Sequence, residues 1–227
     1  MNKSEWHSNA RTRWDENAGN WHSRSRENWT TGSRKSVIPF FLKSVDRGKK
    51  TGDLGCGDGY GSHLLNENGY KVTGMDFSEN MVEIARRLER EGLQFVQGDL
   101  TSLPFKDNEF DAVMAINSIE WTASPVLALD ELDRVTDNEG YICIGLLGPT
   151  AHPRENSFPR LRGEEAICNT MMPWELERLA EQKGWKKIDE EWVYKKGVDA
   201  NLTASLPNEL RQALTFMTLF MFKRSSS

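Results

Sequence analysis

The chain has 227 residues, enough for one large α/β domain with a full hydrophobic core, so neither a disulfide nor a metal staple is required. A hydrophobic content of 37%, a charged content of 28% and a net charge of −5 describe an ordinary globular protein and weigh against a broad nucleic-acid footprint. Cys56, Cys143 and Cys168 form no CxxC pair, no long apolar run offers a membrane span, and residues 1–33 lack the apolar stretch of a signal peptide, so a cytoplasmic protein with reduced thiols is expected.

Residues 1–35 read as a segment apart, and 36–227 as a single domain. Trp6, Trp14, Trp21 and Trp29 recur every seven or eight residues, close to two helical turns, so they can share one face. Two readings stand: a polar tail docked by its tryptophans, or a helical lid whose aromatics close over a ligand. From Ser36, "SVIPFFLKSV" predicts a helix, with Pro39 in its first turn where a missing N–H is harmless. "KKTGDLG" predicts a strand, with Gly52 marking close packing, and "YGSHLLNENG" a helix closed by Gly69. "YKVTGMD" alternates as a strand, and "SENMVEIARRLEREG" predicts a helix capped by Ser78 and ending at Gly92. "LQFVQGD" and "FDAVMAIN" are the third and fourth strands; the latter is nearly continuous in apolar residues, as in a parallel strand covered on both faces. "SPVLALDELDRVT" is a helix, 137–140 a turn and "YICIGLLG" a fifth strand. Residues 149–170 then form a polar loop long enough to serve a substrate. A helix ending near Gly184, the strand "KKIDEEWVYKKG", the helix "LPNELRQALTF" and the strand "MTLFMFKR" complete the chain. Strand–helix alternation of this kind makes a parallel sheet wrapped on both faces, with ligands at the C-terminal strand ends where strand order reverses.

The glycine loop "LGCGDGYG" follows the first strand, at that position. A dinucleotide fingerprint starting at Gly55 and Gly57 requires a third glycine where Tyr60 stands, and no GK[ST] marks a phosphate loop. Asp53 ends the strand and Asp58 sits in the turn. A carboxylate ~4 Å from a phosphate costs roughly 4 kcal/mol at an effective dielectric of ~20, so the pair disfavours pyrophosphate. It favours a ligand that carries two positive groups and a single carboxylate, the last received by the helix end.

The stretch Asp53-Leu54-Gly55-Cys56-Gly57-Asp58-Gly59 resembles the D/E-x-G-x-G-x-G motif of class I S-adenosylmethionine (SAM)-dependent methyltransferases. Asp76 in "GMDFSENM" is similar to the family's acidic residue at the end of strand two, which binds both ribose hydroxyls, and a carboxylate has two acceptors for those two donors. Asp99 in "QGDLTSLPF" is similar to the acidic residue that accepts from the adenine amino group, with Leu100 beside the ring. The resemblance spans about 36–147 and extends more weakly to the C-terminus. It implies a three-layer α/β fold, with a seven-stranded mostly parallel sheet whose last strand is antiparallel. It also implies a cofactor site made of Asp53, Gly55, Cys56, Gly57, Gly59, Asp76, Phe77, Met81, Asp99, Leu100 and Asn117, with S-adenosylhomocysteine as product and no metal. On the acceptor side, Asn117, Glu120 and Trp121 follow strand four and His152 follows strand five; Glu120 and His152 are the candidate bases. No [DNS]-PP-[YFW] follows strand four and no Pro-Cys pair is present, which favours a small-molecule acceptor over adenine, protein glutamine or cytosine. Three other readings remain open: a non-catalytic SAM-binding protein, an RNA methyltransferase and an NAD(P)-binding Rossmann protein. Nothing in the sequence sets an oligomeric state.

Overall fold

A computed structural model of the chain describes residues 3–224. In chain order the helices are α1 (Lys3–Thr30), α2 (Val37–Leu42), α3 (Tyr60–Glu67), α4 (Glu79–Arg86), α5 (Pro125–Val135), α6 (Pro173–Gln182), α7 (Ala200–Thr203) and α8 (Asn208–Ala213). The strands are β1 (Lys50–Leu54), β2 (Lys71–Asp76), β3 (Leu93–Gln97), β4 (Phe110–Ile116), β5 (Thr136–Leu147), β6 (Lys186–Tyr194) and β7 (Thr215–Lys223). They form one seven-stranded sheet in the order β3-β2-β1-β4-β5-β7-β6, in which β1 to β5 run parallel and β7 runs antiparallel to both β5 and β6. This is the architecture that the family resemblance implies, reversed last strand included.

The apolar run of β4 divides between two layers. Ala112, Met114 and Ile116 pack with Phe40, Phe41, Val72 and Trp29 on one face, while Val113 and Ala115 pack with Leu129, Leu132, Leu176 and Trp185 on the other. Both faces of the strand are covered, so no polar alternation is needed. Gly52 is in β1 because the Phe110 ring packs against it; a Cβ there would come within 3.1 Å of the ring. Strand order reverses between β1 and β4, and the C-terminal ends of β1, β2 and β4 therefore open onto a common crevice.

Four local expectations change. α4 keeps its Ser78 cap (Met81 N donates to Ser78 Oγ at 3.1 Å) but stops at Arg86 rather than Gly92. Beyond it the chain tightens into i→i+3 bonds, and the Glu89 carboxylate accepts from the amide of Phe95 at 3.0 Å, which draws this stretch onto β3. Residues 137–140 are an irregularity inside β5 instead of a turn before it: Thr136 pairs with Phe110 and Tyr141 with Ala112, and Glu139 takes φ of +63° to absorb the extra residues. Within the expected loop 149–170, His152–Arg162 is wound into 3₁₀ turns. The short α7 carried no sequence signal.

Residues 3–30 form one 28-residue helix, which packs across α3 and α4. Its buried positions are Trp6, Ala10, Ala18, Ser25 and Trp29, so the tryptophan periodicity did mark a helical face. Among the described residues, no helix is long and apolar enough to cross a membrane.

A candidate cofactor cavity beneath the N-terminal helix

β1 ends in a loop whose glycines at 55, 57 and 59 have φ of +86°, +57° and +79°, a region that L side chains rarely adopt. The amides of Gly55, Cys56, Gly57 and Gly59 are engaged within the protein. Gly55 N and Cys56 N donate to Met75 O at 2.7 and 2.9 Å, and Gly57 N donates to Asp76 Oδ2 at 2.7 Å. The missing side chains make room for the protein's own groups. A Cβ on Gly55 would meet Ser118 at 2.3 Å, one on Gly59 would meet Phe95 at 2.7 Å, and one on Gly61 would meet Trp29 at 2.4 Å. The loop is therefore a tightly packed corner and not an open cradle of N–H groups.

Above this corner α1 roofs a cavity that is partly open to solvent. Ten of the eleven expected cofactor residues line it: Asp53, Gly55, Cys56, Gly57, Asp76, Phe77, Met81, Asp99, Leu100 and Asn117. Gly59 does not; it lies beneath the loop, against Phe95 and Ala85. The N-terminal segment supplies Trp6, His7, Trp14, Trp21 and Trp29, and the chain just beyond it supplies Arg34. Trp121 closes one side, its ring edge-on to Trp14 at 5.0 Å, and Trp14 is in turn edge-on to Trp21 at 6.4 Å.

Each carboxylate has a distinct setting. Asp53 Oδ2 accepts from Ser62 Oγ at 2.6 Å, and burial pushes its carboxyl up to about 7 against the opposing effect of that hydrogen bond. Asp76 accepts from two amides, Gly57 N at 2.7 Å and Ser78 N at 3.0 Å; burial still raises it above the usual carboxylate range. Asp99 Oδ1 accepts from the amide and hydroxyl of Thr101 at 2.8 and 2.9 Å, and its Oδ2 lies 3.4 Å from His7 Nδ1. Asn117 has φ of +51°, donates its amide to Gly145 O at 2.7 Å and buries Oδ1 with no partner among the described residues. The Cys56 thiol is pushed well up by burial, which fits a packed residue and not a nucleophile.

Two expectations about charge and two about bases are corrected here. Asp58 does not line the cavity: Ser25 Oγ donates to its Oδ1 at 2.7 Å and His22 Nδ1 lies 2.7 Å from its Oδ2, so its charge is spent holding α1. The first turn of α3, expected to receive a ligand carboxylate, is covered by Trp29 at Gly61 and by that Asp58 cluster. Glu120 also lies outside the cavity. It is 1% exposed, its Oε1 accepts from Leu147 N at 2.8 Å and burial raises its pKa, so it ties the turn after β4 to the end of β5. His152 stands on the surface, 3.2 Å from Glu155, with its side chain 84% exposed. Segment 149–170 reaches the site only indirectly: Trp6 Nε1 donates to Ala166 O at 3.2 Å and Asn9 to Glu165 at 3.0 Å, which holds the start of α1.

Sequence reasoning missed His7, Arg34, Met75, Ile116, Ser118 and Thr122 among the lining residues. Ile116 and Ser118 flank Asn117 and were within reach of the same motif. His7 and Arg34 had no local signal, because only the packing of α1 across the sheet edge brings them in.

Together these features define the class I methyltransferase fold, with its ligand crevice at the reversal of strand order. Residues 52–144 match a family model described as a methyltransferase domain. A malonyl-[acyl-carrier protein] O-methyltransferase of Erwinia pyrifoliae is 37% identical over 95 residues, 42% of this chain and 36% of that protein. A demethylmenaquinone methyltransferase of Renibacterium salmoninarum is 33% identical over 125 residues, 54% of this chain and 52% of that protein. The chain thus spans between about a third and a half of these curated relatives. In fold, a protein solved in complex with the Haloferax volcanii Trm112 methyltransferase activator matches with a TM-score of 0.73 at 21% identity, covering 96% of this chain and 98% of that one.

Proposed function

We propose that the protein is a SAM-dependent methyltransferase that acts on a small, largely apolar or aromatic acceptor. The observation that carries this reading is the composition of one cavity: three carboxylates at the ends of β1, β2 and β3, roofed by tryptophans and holding one buried guanidinium. Those carboxylates suit a ligand with hydroxyl, amino and cationic donors and disfavour a pyrophosphate. The orphaned Asn117 Oδ1 is a further acceptor for such donors. In this assignment Asp76 accepts from the ribose hydroxyls, and Asp99, with Leu100 and Phe77 beside it, accepts from the adenine amino group. Asp53 lies towards the methionine end.

Bound SAM supplies a methyl group on a positively charged sulfur, which becomes a neutral thioether on transfer. The chain's contribution is to align the acceptor in line with the breaking carbon–sulfur bond and to exclude water. Trp14, Trp21 and Trp121 form the wall that does both, offering flat faces to an aromatic or apolar acceptor. Neither candidate base reaches the cavity, so the acceptor atom is one that is nucleophilic without deprotonation by Glu120 or His152. The small-molecule substrate follows the two curated relatives, one acting on a carrier-bound malonyl group and the other on demethylmenaquinone by their names. The test is incubation with methyl-labelled SAM and fractionated small metabolites, with label in an apolar or aromatic product expected. Label that instead enters RNA selects the nucleic-acid reading, and SAM binding without transfer to any fraction selects a non-catalytic SAM-binding protein.

A further inference from the structure

Arg34 lies between α1 and α2, is 7% exposed and lines the cavity. Its guanidinium sits 4.4 Å above the Trp21 ring and 5.8 Å from that of Trp29. Among the described residues no carboxylate comes within ion-pair distance of it and no acceptor takes its hydrogen bonds. Asp58, Asp53 and Glu120 favour its charge from further away, and burial lowers its pKa to about 10, so it stays protonated at neutral pH. A buried, charged fork of five donors with aromatic support and no anion is an incomplete site. The other group suited to an anion, the first turn of α3, is blocked by Trp29 and the Asp58 cluster, and in the glycine loop the amides of Gly55, Cys56 and Gly57 are already bonded to Met75 and Asp76 and that of Gly59 to Cys56 O. The remaining titratable side chains in the cavity are Asp53, Asp76, Asp99, Cys56 and His7, and His7 stands against Asp99.

We infer that Arg34 is the carboxylate receptor of this cavity, clamped over Trp21 so that its outer edge meets the carboxylate of a ligand bound beneath α1. This rests on the proposed cofactor site and deepens it: the methionine carboxylate goes to a side chain outside the glycine loop. An acceptor carboxylate is the other source of the same chemistry, and the two are separable.

The test compares S-adenosylhomocysteine with its decarboxylated analogue, 5′-(3-aminopropylthio)-5′-deoxyadenosine, by calorimetry on wild type, Arg34→Gln and Arg34→Lys. Wild type is expected to favour the carboxylate-bearing ligand by at least about tenfold, the scale of a charge-assisted pair. Arg34→Gln should lose that preference while binding the decarboxylated analogue as wild type does, and Arg34→Lys should recover part of it. In a second arm, 4-hydroxybenzoate is titrated into protein saturated with S-adenosylhomocysteine. If the first preference survives Arg34→Gln but binding of the aromatic acid is lost, the carboxylate belongs to the acceptor. An equal loss for both nucleoside ligands marks a purely structural role and overturns the proposal, as does a variant that matches wild type in every arm. Wild type that binds neither nucleoside ligand contradicts the cofactor reading itself, and the proposal with it.

Discussion

Burial lifts the Asp53 carboxyl to about 7 in the folded chain, whereas an unfolded aspartate titrates near ~3.9. A folded pKa above the unfolded one means that the folded state holds the proton more tightly. The stability Asp53 contributes is then fully present below about pH 4 and is lost as pH rises through about 7. Asp53→Asn should keep the acceptor for Ser62 while removing the charge, so it should stabilise the ligand-free protein at pH 8 by about 1–3 kcal/mol and do little at pH 4. Asp76 and Glu120, raised by burial in the same direction, leave a residual slope. Urea unfolding at the two pH values measures this, and parallel curves for variant and wild type would show that Asp53 ionises freely. Asp76 works differently, since its carboxylate bridges the glycine loop and the start of α4 through Gly57 N and Ser78 N. Asp76→Ala leaves both amides without their acceptor and removes the acceptors for the ribose hydroxyls, so S-adenosylhomocysteine affinity should fall by about 1–3 kcal/mol, with Asp76→Asn intermediate. Unchanged affinity on titration of Asp76→Ala would remove the ribose assignment. Asp76 and Asp99 were legible because chain order alone places them at strand ends. Glu120 was misread for the same reason: its position after β4 says nothing of which way its side chain turns, and the amide of Leu147 decides that.

At the scale of elements, α1 shows why one part of the site was hidden. Its inner face is built from tryptophan, alanine and serine, so it lacks the aliphatic stripe that usually announces an amphipathic helix. It is held instead by polar ties: Asp15 accepts from Ser78 Oγ at 2.5 Å, His22 and Ser25 engage Asp58, and His7 stands beside Asp99. These pairings join residues far apart in sequence, and no local pattern encodes them. Glycines, by contrast, were read correctly as close approaches but assigned to a ligand, whereas Trp29, Ser118 and Phe95 fill the space. If α1 is the roof of the cofactor site, deletion of residues 1–33 removes Trp6, Trp14, Trp21 and Trp29 together and opens the cavity to water. S-adenosylhomocysteine affinity should then drop at least about tenfold, the loss of roughly 1.4 kcal/mol or more. A folded deletion variant that binds as tightly as the full chain would make α1 a docked tail and nothing more.

Across the whole molecule, strand–helix alternation was enough to give the sheet, because parallel strands buried on both faces leave continuous apolar runs such as that of β4. What the alternation could not give is the reversal of β7, which came only from the family resemblance, or its position between β5 and β6, which no sequence signal marked. The crevice follows from topology, since β1 and β4 diverge at the reversal of strand order and the chain must cover the gap. The choice of ligand for that crevice rests on charge, and charge is what separates the SAM reading from a nicotinamide dinucleotide in an otherwise similar fold. Thermal unfolding of the full chain with S-adenosylhomocysteine or with NAD, each at about a hundred times the micromolar range, puts the two side by side. At that excess a specific ligand adds about 2.7 kcal/mol, which corresponds to an upward shift in Tm of about 5–10 °C for a domain of this size. The account predicts that shift with S-adenosylhomocysteine and none with NAD. A shift with NAD and none with S-adenosylhomocysteine would contradict it.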